Sequence, residues 1–317
     1  MKILITGADG FIGRALAARL LADRDRLDVA AADTRITLLD RQFVSPPVDS
    51  RVCLVRGDIT DSRTLEDALS VEADCVFHLA SLPGGAAEAN VAQGLKVNVQ
   101  ATLALLELLR LQRTPAKVVF ASTVGVYGVP LPRVVDEHTA AEPTLTYGAH
   151  KLVSEVLIAD YSRRGFIDGC ALRLPGIVAR PAQSSGLLSA FMSDLIRQLC
   201  AGQHFTCPVS PDGTSWWMSR ACAVDNLLHA ASLSRMNPRR RRVYLLPVLH
   251  ASMEEVVAAI ARIHGPEVAT RVTYQPNGPL QAQFANLPPL RCPASMAAGF
   301  RHDGTLDRLV QRALDGP

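Results

Sequence analysis

Tyr147 and Lys151 stand four residues apart in YGAHK, at the start of a segment with helical periodicity, so both side chains project from one face a turn apart. A free phenol ionises near 10, about three units too high for a base at neutral pH, and a neighbouring ammonium favours its phenolate. The pair has the makings of a switchable acid/base. With five tyrosines and four lysines in 317 residues, chance seldom produces it. Upstream, FAST closes a β-rich run with Ser122 and Thr123, hydroxyls placed to hold a substrate oxygen against Tyr147. The bland readings are an exposed helix pair, or a buried tyrosine with a snorkelling lysine, and a Ser-Thr step of a kind that ends many strands.

A second constellation opens the chain. KILIT runs into TGADGFIG, where Gly7, Gly10 and Gly13 bracket Phe11 and Ile12 in a GxxGxxG spacing. Such glycines permit a tight turn off a strand, close approach of a pyrophosphate to the backbone, and close packing of the helix on the sheet. The helix N-terminus adds unpaired N–H groups and a positive dipole end for the phosphates. The turn alone could serve packing; a strand before it and a helix after it favour a dinucleotide. A carboxylate at the end of the second strand would then hold the adenosine ribose and repel a 2′-phosphate, which selects NAD. Asp33 has the usual spacing from Gly13, but Asp40 ends RITLLD, whose β-propensity is far better, and we assign the role to Asp40. Asp58, with Ile59 beside it, is placed to meet the adenine edge; a helix N-cap explains Asp58 or Asp61 equally well.

These residues need a scaffold that gathers them. KILIT, RITLLD, RVCLVRGD, CVFHLA, KVVFAS and GCALRLP read as strands buried on both faces, alternating with helical segments such as GLKVNVQATLALLELLR and YGAHKLVSEVLIADYSRRG. That alternation predicts an α/β fold with a doubly wound parallel sheet of the Rossmann type, ligand-binding loops along one edge. From residue 176 the pattern breaks into Pro-, Gly- and Ser-rich stretches. We expect a dinucleotide-binding domain over 1–175 and, over 176–317, a smaller irregular lobe mainly for substrate, with some segments returning to the first domain.

Composition narrows the function. The chain is 48% hydrophobic with a net charge of +3, which leaves no nucleic-acid footprint. The run Arg239 to Arg242 reads as a solvated loop entering a strand. Seven scattered cysteines without a CxxC pair read as reduced thiols, and the eight histidines lack metal-ligand spacing, so no metal is expected. No leader or membrane-length apolar run is present, which points to the cytoplasm.

TGADGFIG, HLAS, FASTVGVYG and YGAHK, in that order, resemble the extended short-chain dehydrogenase/reductase family of NAD-dependent epimerases and dehydratases. The resemblance implies Thr123 as the catalytic Ser/Thr, Tyr147 as general base and Lys151 as its partner. It further implies Leu79, Ala80, Ser81 and Asn98 at the cofactor, with Ser122 and Pro175 touching the nicotinamide end. ITLLD, LIADYSRRGFIDGCALRLP and CPVSPDGTSWWMS resemble the D-erythronate dehydrogenases within that family. This implies NAD-dependent oxidation of the C2 hydroxyl of a four-carbon sugar acid. Departures from that pattern fall at Gly84 and Gly176, which border the substrate. Its carboxylate wants a cation, for which Arg180 and Arg220 are the candidates, while Arg173 reads as structural. Trp216 and Trp217 could line the pocket, but one of them filling the small core of the second lobe is the blander account and the one expected. The two long helices have apolar residues to spare, explained by a homodimer as in the family or by burial within one chain. A nucleotide-sugar epimerase or dehydratase is the alternative activity, and a non-catalytic dinucleotide sensor is a weaker one.

Overall fold

The computed structural model describes residues 1–23, 34–181, 189–233 and 242–314. Asp33 and Arg239 to Arg241 lie outside the described residues. The first half lays down β1 (Lys2–Thr6), β2 (Arg35–Asp40), β3 (Val52–Arg56), β4 (Cys75–His78), β5 (Lys117–Thr123), a two-residue β6 (Val135–Asp136) and β7 (Asp168–Leu174). The second half adds β8 (Gly176–Val178), β9 (Phe205–Cys207), β10 (Thr214–Ser219), β11 (Val243–Leu245), β12 (Leu249–Ser252), β13 (Val272–Tyr274) and β14 (Leu290–Arg291). Among the described residues the α-helices are α1 (Phe11–Ala22), α2 (Ser62–Ala68), α3 (Gly84–Ala89), α4 (Val91–Leu95), α5 (Ala101–Arg110), α6 (Thr146–Arg163), α7 (Ala190–Cys200), α8 (Arg220–Ser232), α9 (Met253–His264), α10 (Gly278–Phe284), α11 (Pro293–Ala297) and α12 (Leu306–Leu314).

Seven strands form one parallel sheet in the order β11-β7-β5-β4-β1-β2-β3. The expected doubly wound α/β fold is therefore present, and strand order reverses between β1 and β4, where such sheets open a crevice for ligands. Side-chain alternation feeds both faces. Ile3, Ile5, Phe77, Val119 and Leu172 pack under α1 and α8, whereas Leu4, Val76, Val118 and Phe120 pack under α2, α5 and α6. Burial of each such side chain is worth roughly 1.5–3 kcal/mol, so the sheet needs no cross-links. The cysteines are free thiols.

After β7 the chain builds a three-stranded sheet, β12-β10-β8, and a separate core in which Leu195, Ile196, Trp217, Val256, Ile260 and Leu309 meet. Between these pieces it returns to the main sheet: α8 packs on α1 and β11 extends the edge beyond β7. Among the described residues no helix is long and apolar enough to cross a membrane.

Candidate active site

The strand tips and the second core enclose a cleft of about 750 Å³. The glycine turn forms its floor. Gly7 has φ +69°, and a Cβ there would stand 2.7 Å from the Ala80 nitrogen, so the turn and the loop after β4 touch only because no side chain intervenes. A Cβ on Gly13 would collide with the Gly7 carbonyl oxygen. The turn thus leaves a side-chain-free cradle at the N-terminus of α1, which fits a pyrophosphate.

Every site residue expected from the sequence lines this cleft except Asn98. At one end β2 delivers Asp40, whose carboxylate accepts N–H bonds from Asp9 at 2.9 Å and Arg41 at 2.7 Å. Burial raises its pKa against those two bonds. Asp58 also faces the cleft, its Oδ1 held by Thr60, and the cap of α2 is Asp61.

At the other end, the first turn of α6 presents Tyr147. Burial lifts its phenol above the ordinary value, while a hydrogen bond with Ser81 and the charge of Arg180 draw it down. One turn on, Lys151 is fully buried, donates to the Ala121 carbonyl at 2.7 Å, and lies 4.5 Å from the centre of the Phe120 ring. Desolvation pushes its ammonium down to about 7, opposed by the charge of Glu155. Thr123 accepts the Gly125 N–H at 3.0 Å, which leaves its own proton for an oxygen in the cleft.

Two of the expected side chains already have partners within the protein. Asn98 is buried in a π-helical turn, Lys96–Gln100, and spends its amide on the main chain of Leu82, donating at 3.0 Å and accepting at 2.7 Å. It shapes the loop that carries Ser81 and does not itself face the cleft. Ser122 borders the cleft, but its hydroxyl donates to Glu155 at 2.5 Å. Glu155 also takes two bonds from Arg173, at 3.0 and 2.7 Å, and that guanidinium lies over the Tyr127 ring. Arg173, read from sequence as structural, is one corner of this buried network behind Tyr147 and Lys151; the part of Glu155 was missed from sequence, where a glutamate one turn after the lysine was its signal.

Arg180 and Arg220 each stand 5.0 Å from the centre of the Phe11 ring, and burial works against the charge of both. The second half of the chain also supplies Met192, Ser193, Trp216 and Gln283, of which only Trp216 was considered from sequence. Alternation along β10 explains the Trp pair: Trp217 fills the second core and Trp216 faces the cleft. At Gly176 a Cβ would come within 2.8 Å of Met192 Cε, so the thioether occupies that space. Gly84 leaves room beside the Tyr147 Cβ, 4.0 Å away.

The sequence model of the NAD dependent epimerase/dehydratase family matches residues 3–232. D-erythronate dehydrogenase of Cupriavidus necator is 37% identical over 319 residues, covering 99% of this chain and 98% of its own. The Haemophilus influenzae D-erythronate dehydrogenase is 29% identical over 316 residues, covering 99% of each. A solved structure described as the nucleoside-diphosphate-sugar epimerase from Agrobacterium tumefaciens superposes with a TM-score of 0.90 at 28% identity, covering 98% of this chain and 92% of that one. With a dinucleotide cradle at the crevice and a match through most of its length, the chain belongs to the NAD-dependent epimerase/dehydratase family and uses NAD.

Proposed function

We propose that this NAD-dependent dehydrogenase oxidises the C2 hydroxyl of D-erythronate, giving 2-dehydro-D-erythronate. The observation that carries the reading is the meeting, on one wall of the cleft, of the Tyr147 phenol, the buried Lys151 ammonium and the Arg180 guanidinium. Two relatives named D-erythronate dehydrogenase, similar over nearly the whole chain, support the substrate.

Gly7, Gly10, Phe11, Ile12 and Gly13 hold the pyrophosphate, Asp40 the adenosine ribose, and Asp58 with Ile59 the adenine side. Leu79, Ala80, Ser81 and Pro175 border the nicotinamide half. Bound there, NAD supplies the acceptor for the hydride that leaves C2. Tyr147, as phenolate, takes the proton of the C2 hydroxyl. Lys151 in its charged form stabilises that phenolate, and Ser81 donates to it. Thr123 donates to the C2 oxygen and aligns it. Arg180 binds the substrate carboxylate, its planar fork matching two oxygens, with Arg220 as the second cation near it.

In this reading residues 1–175 bind the dinucleotide and 176–317 mainly the sugar acid, with α8 and β11 returning to the first domain. Seven unpaired thiols and a need for NAD fit the cytoplasm. Leu95, Leu103, Val153 and Val156, all exposed on α4, α5 and α6, support a homodimer through these helices.

The test is a panel of four-, five- and six-carbon aldonates assayed with NAD and with NADP. Net NADH formation confined to the four-carbon acids is expected, with a 2-keto acid as product. Retained cofactor without net reduction would support an epimerase instead.

A further inference from the structure

Four charged side chains line the ribose end of the cleft: Asp9, Arg14, Asp40 and Arg41. Arg14 is tied to Asp9 twice, from Nη2 to the carboxylate at 2.9 Å and from Nε to the main-chain carbonyl at 2.8 Å. The Asp9 N–H reaches Asp40 at 2.9 Å, and its carboxylate accepts the Val44 N–H at 3.3 Å, so the chain after β2 is fastened to the glycine turn. The Asp9 side chain is 8% exposed and that of Arg14 39% exposed. The carboxylate is enclosed, and the guanidinium it holds borders both cleft and solvent.

We propose that Asp9 is a specificity-determining residue for the dinucleotide: by engaging Arg14 it withholds a guanidinium from a 2′-phosphate and reinforces the choice of NAD made at Asp40. The inference rests on Asp40 marking the ribose. A phosphate monoester carries nearly two negative charges at neutral pH, and a free guanidinium binds it through paired hydrogen bonds. In the wild type the two acids and two bases cancel, and Arg14 has its preferred partner already. Asp9→Asn keeps the size of the side chain and an oxygen for the Val44 N–H, but removes the charge. Arg14 is then uncompensated beside Arg41, and the ribose end becomes attractive to a phosphate.

Binding of NADH and of NADPH, followed by their fluorescence in the absence of any sugar acid, tests this directly. Asp9→Asn is expected to shift the ratio of the two Kd values about tenfold toward NADPH, one favourable charge-assisted contact. Adding Arg14→Gln should return the ratio to near the wild-type value. Arg14→Gln alone should move it the other way, at least about threefold, and this variant decides the matter if Asp9→Asn does not fold. An unchanged ratio in either single variant, or a gain in Asp9→Asn that survives Arg14→Gln, overturns the proposal. Failure of the wild type to bind NADH would instead remove the reading of the cleft on which it rests.

Discussion

Lys151 follows Tyr147 by one helical turn, its Nζ 5.6 Å from the centre of the phenol ring and 2.7 Å from the Ala121 carbonyl oxygen. Burial holds the ammonium near 7 and the phenol above its usual value, so in the protein alone both groups lean to their neutral forms. The working base is the phenolate, so turnover rises as pH rises through the phenol's pKa; phenolate and ammonium form together as an ion pair in which each charge holds the other, and the pair titrates with the phenol lower and the lysine higher than either group does beside a neutral partner. Lys151→Met is expected to displace the acid limb of the kcat profile upward by about one unit or more and to lower kcat at pH 7 about 100-fold. A profile between pH 6 and 10 checks this, and an unmoved limb would contradict the pairing.

Glu155 joins Ser122, Arg173 and Lys151 behind the site. Glu155→Gln leaves the Arg173 charge in a largely buried place without its counter-ion, a change that typically destabilises by about 3–5 kcal/mol. Removing the carboxylate also removes the charge that holds Lys151 up, so the lysine becomes neutral at a still lower pH. Urea unfolding should show the loss of stability, and kcat at pH 7 should fall even where the variant is fully folded.

The influence of Arg180 on the Tyr147 phenol sets it apart from Arg220. Arg180→Ala is expected to raise KM for D-erythronate about 30- to 100-fold, the worth of a paired charge-assisted contact, with a smaller change in KM for NAD. Arg220→Ala should raise KM for the acid less. Steady-state kinetics with each substrate varied in turn separates the two.

Val153 and Val156 stand 45% and 62% exposed on α6. Val156→Glu places a charge on the apolar face proposed to pair with a second copy, and it should convert a dimer to monomers in light scattering without lowering the melting temperature by more than a few degrees. A wild type that is monomeric at micromolar concentration would remove the dimer.

Local chemistry made much of this visible before the fold was known. RITLLD forms a strand ending at Asp40 because its β-branched and leucine side chains suit a doubly buried sheet position. Tyr147 and Lys151 share a face because helical spacing requires it. What stayed hidden depends on contacts distant in sequence. Ser122 was recognised, but its bond to Glu155, 33 positions on, arises only when α6 lies across β5. Asn98 was recognised too, yet its turn toward Leu82 follows from a π-helical turn that no periodicity announces. Gly148 has no signal of its own in YGAHK, although a Cβ there would strike the Gly125 carbonyl oxygen and push α6 off the strand tips. Met192 and Gln283 reach the cleft from segments without any motif.

The most direct test of the account is turnover of D-erythronate with NAD by Tyr147→Phe, followed as NADH absorbance and set beside NADH binding by the same variant. A fall in kcat of at least about 100-fold is expected, the contribution of a general base, with dinucleotide affinity within a fewfold of wild type. Near-normal turnover in a well-folded Tyr147→Phe protein would contradict it.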